Sequence, residues 1–600
     1  MLNLKSNSSS NQKEKGLPLF VCVVCIIFFA WVFSICSIIS LSWFCSFEEI
    51  VNWKAEKTPY FRDVLIQHDI PLLYNNYLLA RSISILLWSI IIGVTCFIFL
   101  RRKKLLLCLQ QFYDFAIEQR LDCKRAFLRL KTSEKLAFIF LLITSIGLRI
   151  YHFSYLPVHV DELMTYYSFV NEGFLLTSLY YPVPNNHVFF NYIFILFSKF
   201  INDPILAARI PSAIAFHLML LMLFFGLLRY FKNYSIAFLS TAMCVFLFPS
   251  SVYAAEGRGY AVLSLMVVLA AFSLLLMIEK NRKETTFLFV PACVIGAWTV
   301  PVFFIPFLSL VSFGLWRSIT DRNRLLFKWI MVSTCCVGVG VFISYLPVFL
   351  FSGISAVAAN KTVVPVQDSN FFTYIYPIAS AEILSFFAGI DTKGWVFFLL
   401  FGALALVIYW KGEERYQRWI QLSMLMLGMI FLYALVGRRF MFQRTVTYAT
   451  YFLYPAVVTI LVYATNSTIK SKLVRNVIVG CILICLPFLS YIQYQANVFE
   501  VHLLPSKYYN VLEQHISKAI QNEDKVYLAV SDSYVNLYGR YLEETKDMQF
   551  VDTLDKANML IIEESLIGKF TKKELSAFRQ TGYSPSLASF LNTLLFYERK

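Results

Sequence analysis

The chain has 600 residues, of which 58% are hydrophobic, 17% aromatic and only 15% charged, and its mean hydropathy is +0.62. A soluble domain carries about 25% charged residues, so this composition excludes one and points to a polytopic membrane protein. The net charge of +16 does not indicate nucleic acid, because the Lys and Arg residues are spread over short loops between apolar runs, the pattern of cytoplasmic anchoring.

The first residues, "MLNLKSNSSSNQKEKG", are basic. The apolar run after them continues to about Phe44 without a small-residue cleavage site, which predicts a retained first helix. Thirteen cysteines lie mostly inside apolar runs and none falls in the last hundred residues, so there is no disulfide framework to read. Cys22 and Cys25 form a C-x-x-C within the first span and read as packing rather than redox chemistry.

Apolar runs of about 15–25 residues predict spans near 18–44, 83–100, 136–151, 210–228, 234–252, 258–278, 286–300, 301–316, 329–351, 395–410, 419–436, 449–465 and 477–495. The pair at 286–316, with "AWTVPVFFIPF" at its centre, is either a tight hairpin or one kinked helix, and the choice sets the parity of every later loop. Charge sets the orientation. Residues 101–135 carry ten basic and four acidic groups, whereas 46–80 hold three basic and five acidic, so the first loop is expected outside and the second in the cytoplasm. Alternation then places "RYFKN" (229–233), "EKNRK" (279–283), "RSITDRNR" (317–324), "KGEERYQR" (411–418) and "KSKLVR" (470–475) all inside, which selects the hairpin. The segment 152–209 and the C-terminal region become extracytoplasmic.

From Glu500 to Lys600 there are twelve basic and fourteen acidic groups, as a translocated tail requires. Within it "KVYLAVSD", "ANMLIIEE" and "LLFYERK" read as strands, and "SYVNLYGRYLEE" and "KKELSAFRQ" as helices. The expected fold is therefore an all-α polytopic membrane protein of about thirteen transmembrane helices with a small extracytoplasmic α/β domain. Its parts are a two-span extension with a basic linker (1–135), a transmembrane core (136–495) whose first outer loop is 152–209, and the C-terminal domain (496–600).

That outer loop opens on "HVDELMTYYSF" (159–169), which sets Asp161 beside Glu162 where a span ends. By itself such a pair is a solvated loop feature. Further on, "NNHVFFNYIFILFSKFI" brings Asn186 and His187 in at the start of an amphipathic stretch, expected to lie along the outer interface, because a crossing there would turn every later basic loop outward. "GRRFMFQRTVTYATYFLYP" (437–455) carries Arg438, Arg439 and Arg444 with no acidic residue, and "YAAEGRGYA" (253–261) adds Arg258 beside Glu256. Arginines bordering spans against the positive-inside bias need anionic partners. Those partners are Glu256 or lipid headgroups in the simpler reading, and a phosphate or pyrophosphate held by the guanidinium fork in the sharper one. Acid at one wall and arginine at another suit an acceptor that needs a base and a donor that leaves as phosphate. Nucleotide sugars are cytoplasmic, so a lipid-phosphate donor fits an outer site better.

From about residue 136 to 465 the chain resembles the integral-membrane GT-C glycosyltransferases, the polyprenyl-phosphate-sugar users that include protein O-mannosyltransferases and the bacterial aminoarabinose transferase. The resemblance rests on "HVDELMTYY", "NNHVFFNYIF", "AARIPSAI" (207–214), "EGRGYAVL" (256–263) and "QRTVTYATYFLYP" (443–455), in that order. Where relatives show Pro-Pro after the histidine, this chain has Val188 and Phe189, and it adds two N-terminal spans.

What the resemblance implies is inverting transfer of a hexosyl or pentosyl group from a polyprenyl-phosphate-linked sugar to a lipid, glycan or protein acceptor, in the building of a cell-envelope glycan at the bacterial inner membrane. Asp161 would be the general base, and Glu162 a positioning partner or a helper that raises its neighbour's basicity. Arg258, Arg444, Arg438 and Arg439 would neutralise the departing phosphate, with Arg444 favoured because it sits in the matching "RTxxY" stretch. His187, Asn186, Glu256 and Tyr260 would position acceptor or donor. No metal site is expected with certainty; a divalent ion at His187 and Glu162 is the one cofactor left open. Two other classes share these residues: a transporter or flippase for lipid-linked sugars, against which the scarcity of acidic residues within the spans counts, and a polymer ligase or polymerase on the outer face.

Overall fold

The computed structural model describes residues 26–57, 70–156, 158–358, 370–388, 412–439 and 442–497, with shorter stretches elsewhere, chiefly between 525 and 599. It is mostly helical, and among the described residues eleven helices are long and apolar enough to cross a membrane, so the chain is an integral multi-pass membrane protein. Twelve of the thirteen expected runs form helices; the run at 395–410 lies largely outside the described residues.

Several boundaries differ from the expectation for identifiable reasons. The second helix begins at Ile70 and runs to Leu100 rather than starting near 83. Arg81, which marks that stretch as polar in sequence, is paired by its neighbour: its Nε donates to the Ser42 carbonyl at 2.7 Å and its Nη2 to the Tyr77 hydroxyl at 2.9 Å. Pro204–Phe231 starts six residues early because Asp203 caps it, its Oδ1 accepting from the amides of Ile205 and Leu206 at 2.8 and 3.0 Å, with proline at the first helical position. The helix in the run at 234–252 breaks after Phe246, and one further turn follows at Phe248–Ser251. Pro249 has no N–H to give the Val245 carbonyl, and Arg149 from the helix Thr132–Tyr155 fills the gap, donating from Nη2 to that carbonyl at 3.0 Å and to the Ser251 hydroxyl at 2.7 Å.

Contacts between loops sort the bundle into two ends. At one end the linker helix Arg102–Leu128 meets the basic loops: Glu118 accepts from Lys280 at 2.7 Å and from Arg282 at 2.6 Å. There too Arg317 pairs with Glu414 at 3.0 Å and the Tyr230 hydroxyl donates to the Arg415 carbonyl at 3.2 Å. The other end holds residues 159–162, 185–187, 256–259 and 444, joined by the contacts described in the next subsection. The stretch 286–316 is a hairpin: helix Thr286–Thr299 ends where Thr299 packs on Gly259, and Phe304–Thr320 returns Arg317 to the basic end.

A helix not expected from the sequence, Tyr376–Ala388, follows a turn of π-helix at Phe371–Ile375. The combined stretch is long enough to be a span, but Phe372 lies under Arg438 at 4.9 Å and Phe386 against Tyr253 at 6.1 Å, so both ends touch the end of the bundle that holds 253–259. Val188–Ser198 also stays at that end, between His187 and the start of the helix at Pro204.

The N-terminal extension is packed into the protein. Helix Phe47–Lys57 buries Val51 against Phe169, Leu176 and Tyr180. Lys54 is buried, donates to the Phe351 carbonyl and sits over the Tyr180 ring at 5.1 Å, a cation–π contact that partly offsets its loss of water.

In the tail, β1 (Lys525–Ala529), β2 (Gln549–Phe550), β3 (Met559–Glu563), β4 (Phe578–Ser584) and β5 (Leu594–Arg599) form one mixed sheet in the order β2-β1-β3-β5-β4. The three expected strands are its centre, and "MLII" is buried on both faces, as an unbroken apolar run in a central strand should be. "KKELSAFRQ" is a helix only over Lys572–Ser576; from Phe578 it is strand β4, held by pairing with β5. Of 533–544 only Arg540 and Tyr541 are described.

Candidate functional site

The site is built from an unusual cap. Helix Val160–Thr165 has His159 at its N-cap, whose Nδ1 accepts from the Asp161 amide at 3.2 Å, while the Glu162 carboxylate reaches back to the His159 amide at 3.0 Å. This is a capping box with histidine in the place usual for Ser or Thr, and it accounts for Glu162. The same carboxylate pairs with Arg209, Nε to Oε1 at 3.0 Å and Nη2 to Oε2 at 2.8 Å, and accepts from the Gly257 amide at 2.6 Å. Glu162 is fully buried with every contact a charge-assisted or backbone hydrogen bond, so it fastens three segments together. Burial would raise its carboxyl; Arg209 and the two amides outweigh that and hold it below the usual range.

Asp161, one residue earlier on the short helix, turns the other way. Its Oδ2 lies 2.9 Å from Nη1 of Arg258 and 3.0 Å from Nη1 of Arg444. Burial pushes this carboxyl up, but the two guanidinium groups prevail and keep it well below the ordinary carboxylate value. Arg444 comes from the 3-10 turn Gln443–Ala449 that opens the next helix. Arg258 stands between two glycines that allow close approach. A Cβ on Gly257 would meet Ala208 at 2.4 Å and one on Gly259 would meet His187 Nδ1 at 2.9 Å, and without them each amide reaches its acceptor, Glu162 or His187.

His187 accepts from the Gly259 amide at Nδ1, 3.0 Å away. Burial, then Arg258, hold its pKa well below the usual imidazole value, so the ring is neutral and its proton sits on Nε2. Arg258 Nη2 lies 3.4 Å from that nitrogen. Both are donors there, so the contact is no hydrogen bond and the Nε2–H is left for an acceptor atom of a ligand. The Tyr260 ring stands 5.1 Å from the His187 ring and 5.7 Å from the Arg258 guanidinium. Glu256 is buried, and neither carboxylate oxygen has a hydrogen-bond partner among the described residues; His159 Nδ1 is 3.8 Å from its Oε1.

The structure thus gathers Asp161, Arg258, Arg444, His187, Tyr260 and Glu256. It does not bring in the others. Asn186 donates to the carbonyls of Thr177 and Tyr180 at 2.9 and 2.8 Å and accepts from Asn191 at 2.9 Å, which makes it a brace of the loop rather than a substrate contact. Arg438 caps the helix Glu414–Gly437 in a left-handed conformation (φ 48°) with its guanidinium over Phe372, and Arg439 donates to the Tyr433 hydroxyl at 3.2 Å. His187 and Glu162 do not fit a divalent ion: all the strong acceptor positions of Glu162 are taken, and the unengaged nitrogen of His187 carries a proton. Two residues that matter were not singled out in sequence. Arg209, inside "AARIPSAI", is a buried arginine near a helix start with no acidic neighbour, which demands a distant carboxylate. His159, three residues before Glu162, has the capping-box spacing.

No family model and no curated protein sequence matches the chain. Among solved structures, the crystal structure of ArnT from Cupriavidus metallidurans bound to undecaprenyl phosphate is similar to 76% of this chain and 97% of its own, at 10% identity and a TM-score of 0.44.

Proposed function

We propose that the protein is an inverting glycosyltransferase that takes a sugar from a polyprenyl-phosphate donor on the extracytoplasmic face of the membrane. The observation that carries this reading is the Asp161 carboxylate, set between two arginines from separate segments at the end of the bundle away from the basic loops. The positive-inside rule turns those loops to the cytoplasm and the site outward. The resemblance of the five sequence elements to the GT-C enzymes supports it independently.

In the reaction the acceptor hydroxyl gives its proton to the Asp161 carboxylate as its oxygen bonds to the anomeric carbon. The bond from that carbon to the phosphate oxygen breaks on the opposite face, and the lipid leaves as a phosphate monoester. One displacement inverts the centre. Arg258 and Arg444 meet the charge that grows on the phosphate, an effect strengthened where water is scarce, and the Nε2–H of His187 adds a neutral donor. Glu162 and Arg209 hold the frame, and the helix Phe47–Lys57 braces the loop from behind.

The test is transfer from a polyprenyl-phosphate sugar in liposomes, read as released polyprenyl phosphate. Asp161→Asn keeps size and loses basicity, so the rate should fall by about 10²–10⁴-fold with protein abundance unchanged. No release by the wild type would favour a lipid-linked-sugar transporter, and release by Asp161→Asn at the wild-type rate would place the base elsewhere.

A further inference from the structure

The contacts to Asp161 are charge contacts without hydrogen-bond alignment. Asp161 Oδ2 is buried without a hydrogen-bond partner among the described residues, and so are Nε and Nη1 of Arg258 and Nε of Arg444. The two guanidinium groups therefore hold more donors than one carboxylate oxygen uses. A phosphate presents several oxygens in a tetrahedron and suits two convergent forks better. The neutral His187 ring, with its Nε2 3.4 Å from Arg258, adds one more donor on that side.

Accepting the glycosyltransferase reading, we infer that Asp161 Oδ2 stands where an oxygen of the donor phosphate binds, and that the phosphate displaces it from Arg258 and Arg444. Asp161 and the phosphate are then competing ligands of one arginine clamp. The carboxylate is a weak base while it pairs with the arginines, and donor binding frees it to take the acceptor's proton. Binding is ordered, with the donor first, and an acceptor that arrives alone meets a base that is still engaged. The device also protects the clamp, because Arg258, 2% exposed, would be costly if left unpaired in the empty protein.

The expectation reverses that for an acceptor-side residue, whose loss leaves donor binding alone. With a short-chain polyprenyl phosphate as probe and detergent-solubilised full-length protein, Asp161→Asn should bind at least about fivefold more tightly than wild type, the lower end of ordinary coupling between two ligands. Asp161→Glu, which keeps the competing charge, should bind near the wild-type level. Wild-type transfer together with equal or weaker probe binding by Asp161→Asn overturns the exchange while leaving the glycosyltransferase reading intact; absence of both binding and transfer in the wild type overturns both.

Because Asp161→Asn removes the carboxylate at ion-pair distance from both arginines, its thermal midpoint is a second readout, independent of the binding assay. Inorganic phosphate should raise the midpoint more in the variant than in the wild type, compared with chloride at equal ionic strength. An equal rise in the two proteins overturns the proposal.

Discussion

At the basic end of the bundle Glu118 receives Lys280 at 2.7 Å and Arg282 at 2.6 Å, and the three side chains keep 25% to 40% of their surface. At the opposite end Glu162 and Arg209 meet at 2.8 Å with 0% and 2% exposed. The charges are alike and the distances nearly so, but water screens the first pair and is absent from the second. An exposed pair contributes about 0–1 kcal/mol, whereas removing one partner of a buried pair costs about 3–5 kcal/mol because a charge is left alone in a poor solvent. The basic end keeps its pairs within reach of water; the other end commits the fold to one arrangement of 159–162, 209 and 257.

The widest break in that comparison is Arg209→Ala. It strands Glu162 and should lower stability by about 3–5 kcal/mol, seen as a large drop in thermal midpoint in detergent. Removing both charges, Arg209→Met with Glu162→Met, should restore part of the loss; a double variant as unstable as the single one would show that the pair is not the unit. The pH dependence follows from the same pairing. Glu162 has a folded pKa below its unfolded value, so its contribution is present above about pH 4.3, the ordinary glutamate value, and is lost as pH falls through the lowered folded value. Glu162→Gln should flatten the acid limb of the stability curve, and a limb unchanged in slope would contradict the assignment.

The arginines at the site end offer a finer test. Arg444→Ala should reduce transfer by about 10²–10³-fold, the usual loss for one donor to a developing anion. Arg444→Lys should fall between it and wild type, because the charge stays and the fork goes. Arg438→Ala and Arg439→Ala, whose side chains rest on Phe372 and Tyr433, should leave the rate near wild type. Equal losses at all three positions would mean that the described arrangement is not the one that binds donor.

The sequence was legible wherever one physical signal dominated. Runs long and apolar enough to cross a bilayer became helices, and loop charge grouped the basic loops that the contacts bring to one end. Boundaries were missed where a remote group decides them: Arg81 belongs inside its helix because Ser42 accepts from it, and the helix stops at Phe246 because Pro249 and Arg149 agree on a break. The helix at 376–388 was missed because Ser380, Glu382 and Ser385 interrupt its apolar residues and leave no unbroken run long enough to predict a span. At the site, arginines bordering spans against the positive-inside bias pointed to Arg258 and Arg444. The same logic applied to Arg209 would have found Glu162's partner. Adjacent carboxylates suggested a shared task for Asp161 and Glu162, but successive side chains on a helix do not share a face, and the two are divided between the clamp and the frame.

The smallest effect is expected at Arg282. Its guanidinium touches Glu118 at 2.6 Å and Glu284 at 3.2 Å and covers the Phe115 ring at 5.1 Å, so by contact number it rivals Arg209. Yet its side chain is 36% exposed, and Lys280 remains beside Glu118 when it is removed. Water replaces the lost donor at Glu118, and at Glu284, which loses its ion pair, it reaches the 11% of the side chain that is exposed, so Arg282→Ala should cost about 1 kcal/mol, well short of the Arg209→Ala loss. The loss should shrink as salt rises, since an exposed pair is screened within a Debye length of about 10 Å at 0.1 M, whereas the Arg209→Ala loss should be nearly independent of salt. Thermal midpoints of both variants at low and high salt measure this directly. An Arg282→Ala loss as large as that of Arg209→Ala, or one unmoved by salt, would mean that the two ends are stabilised alike and that burial does not separate them.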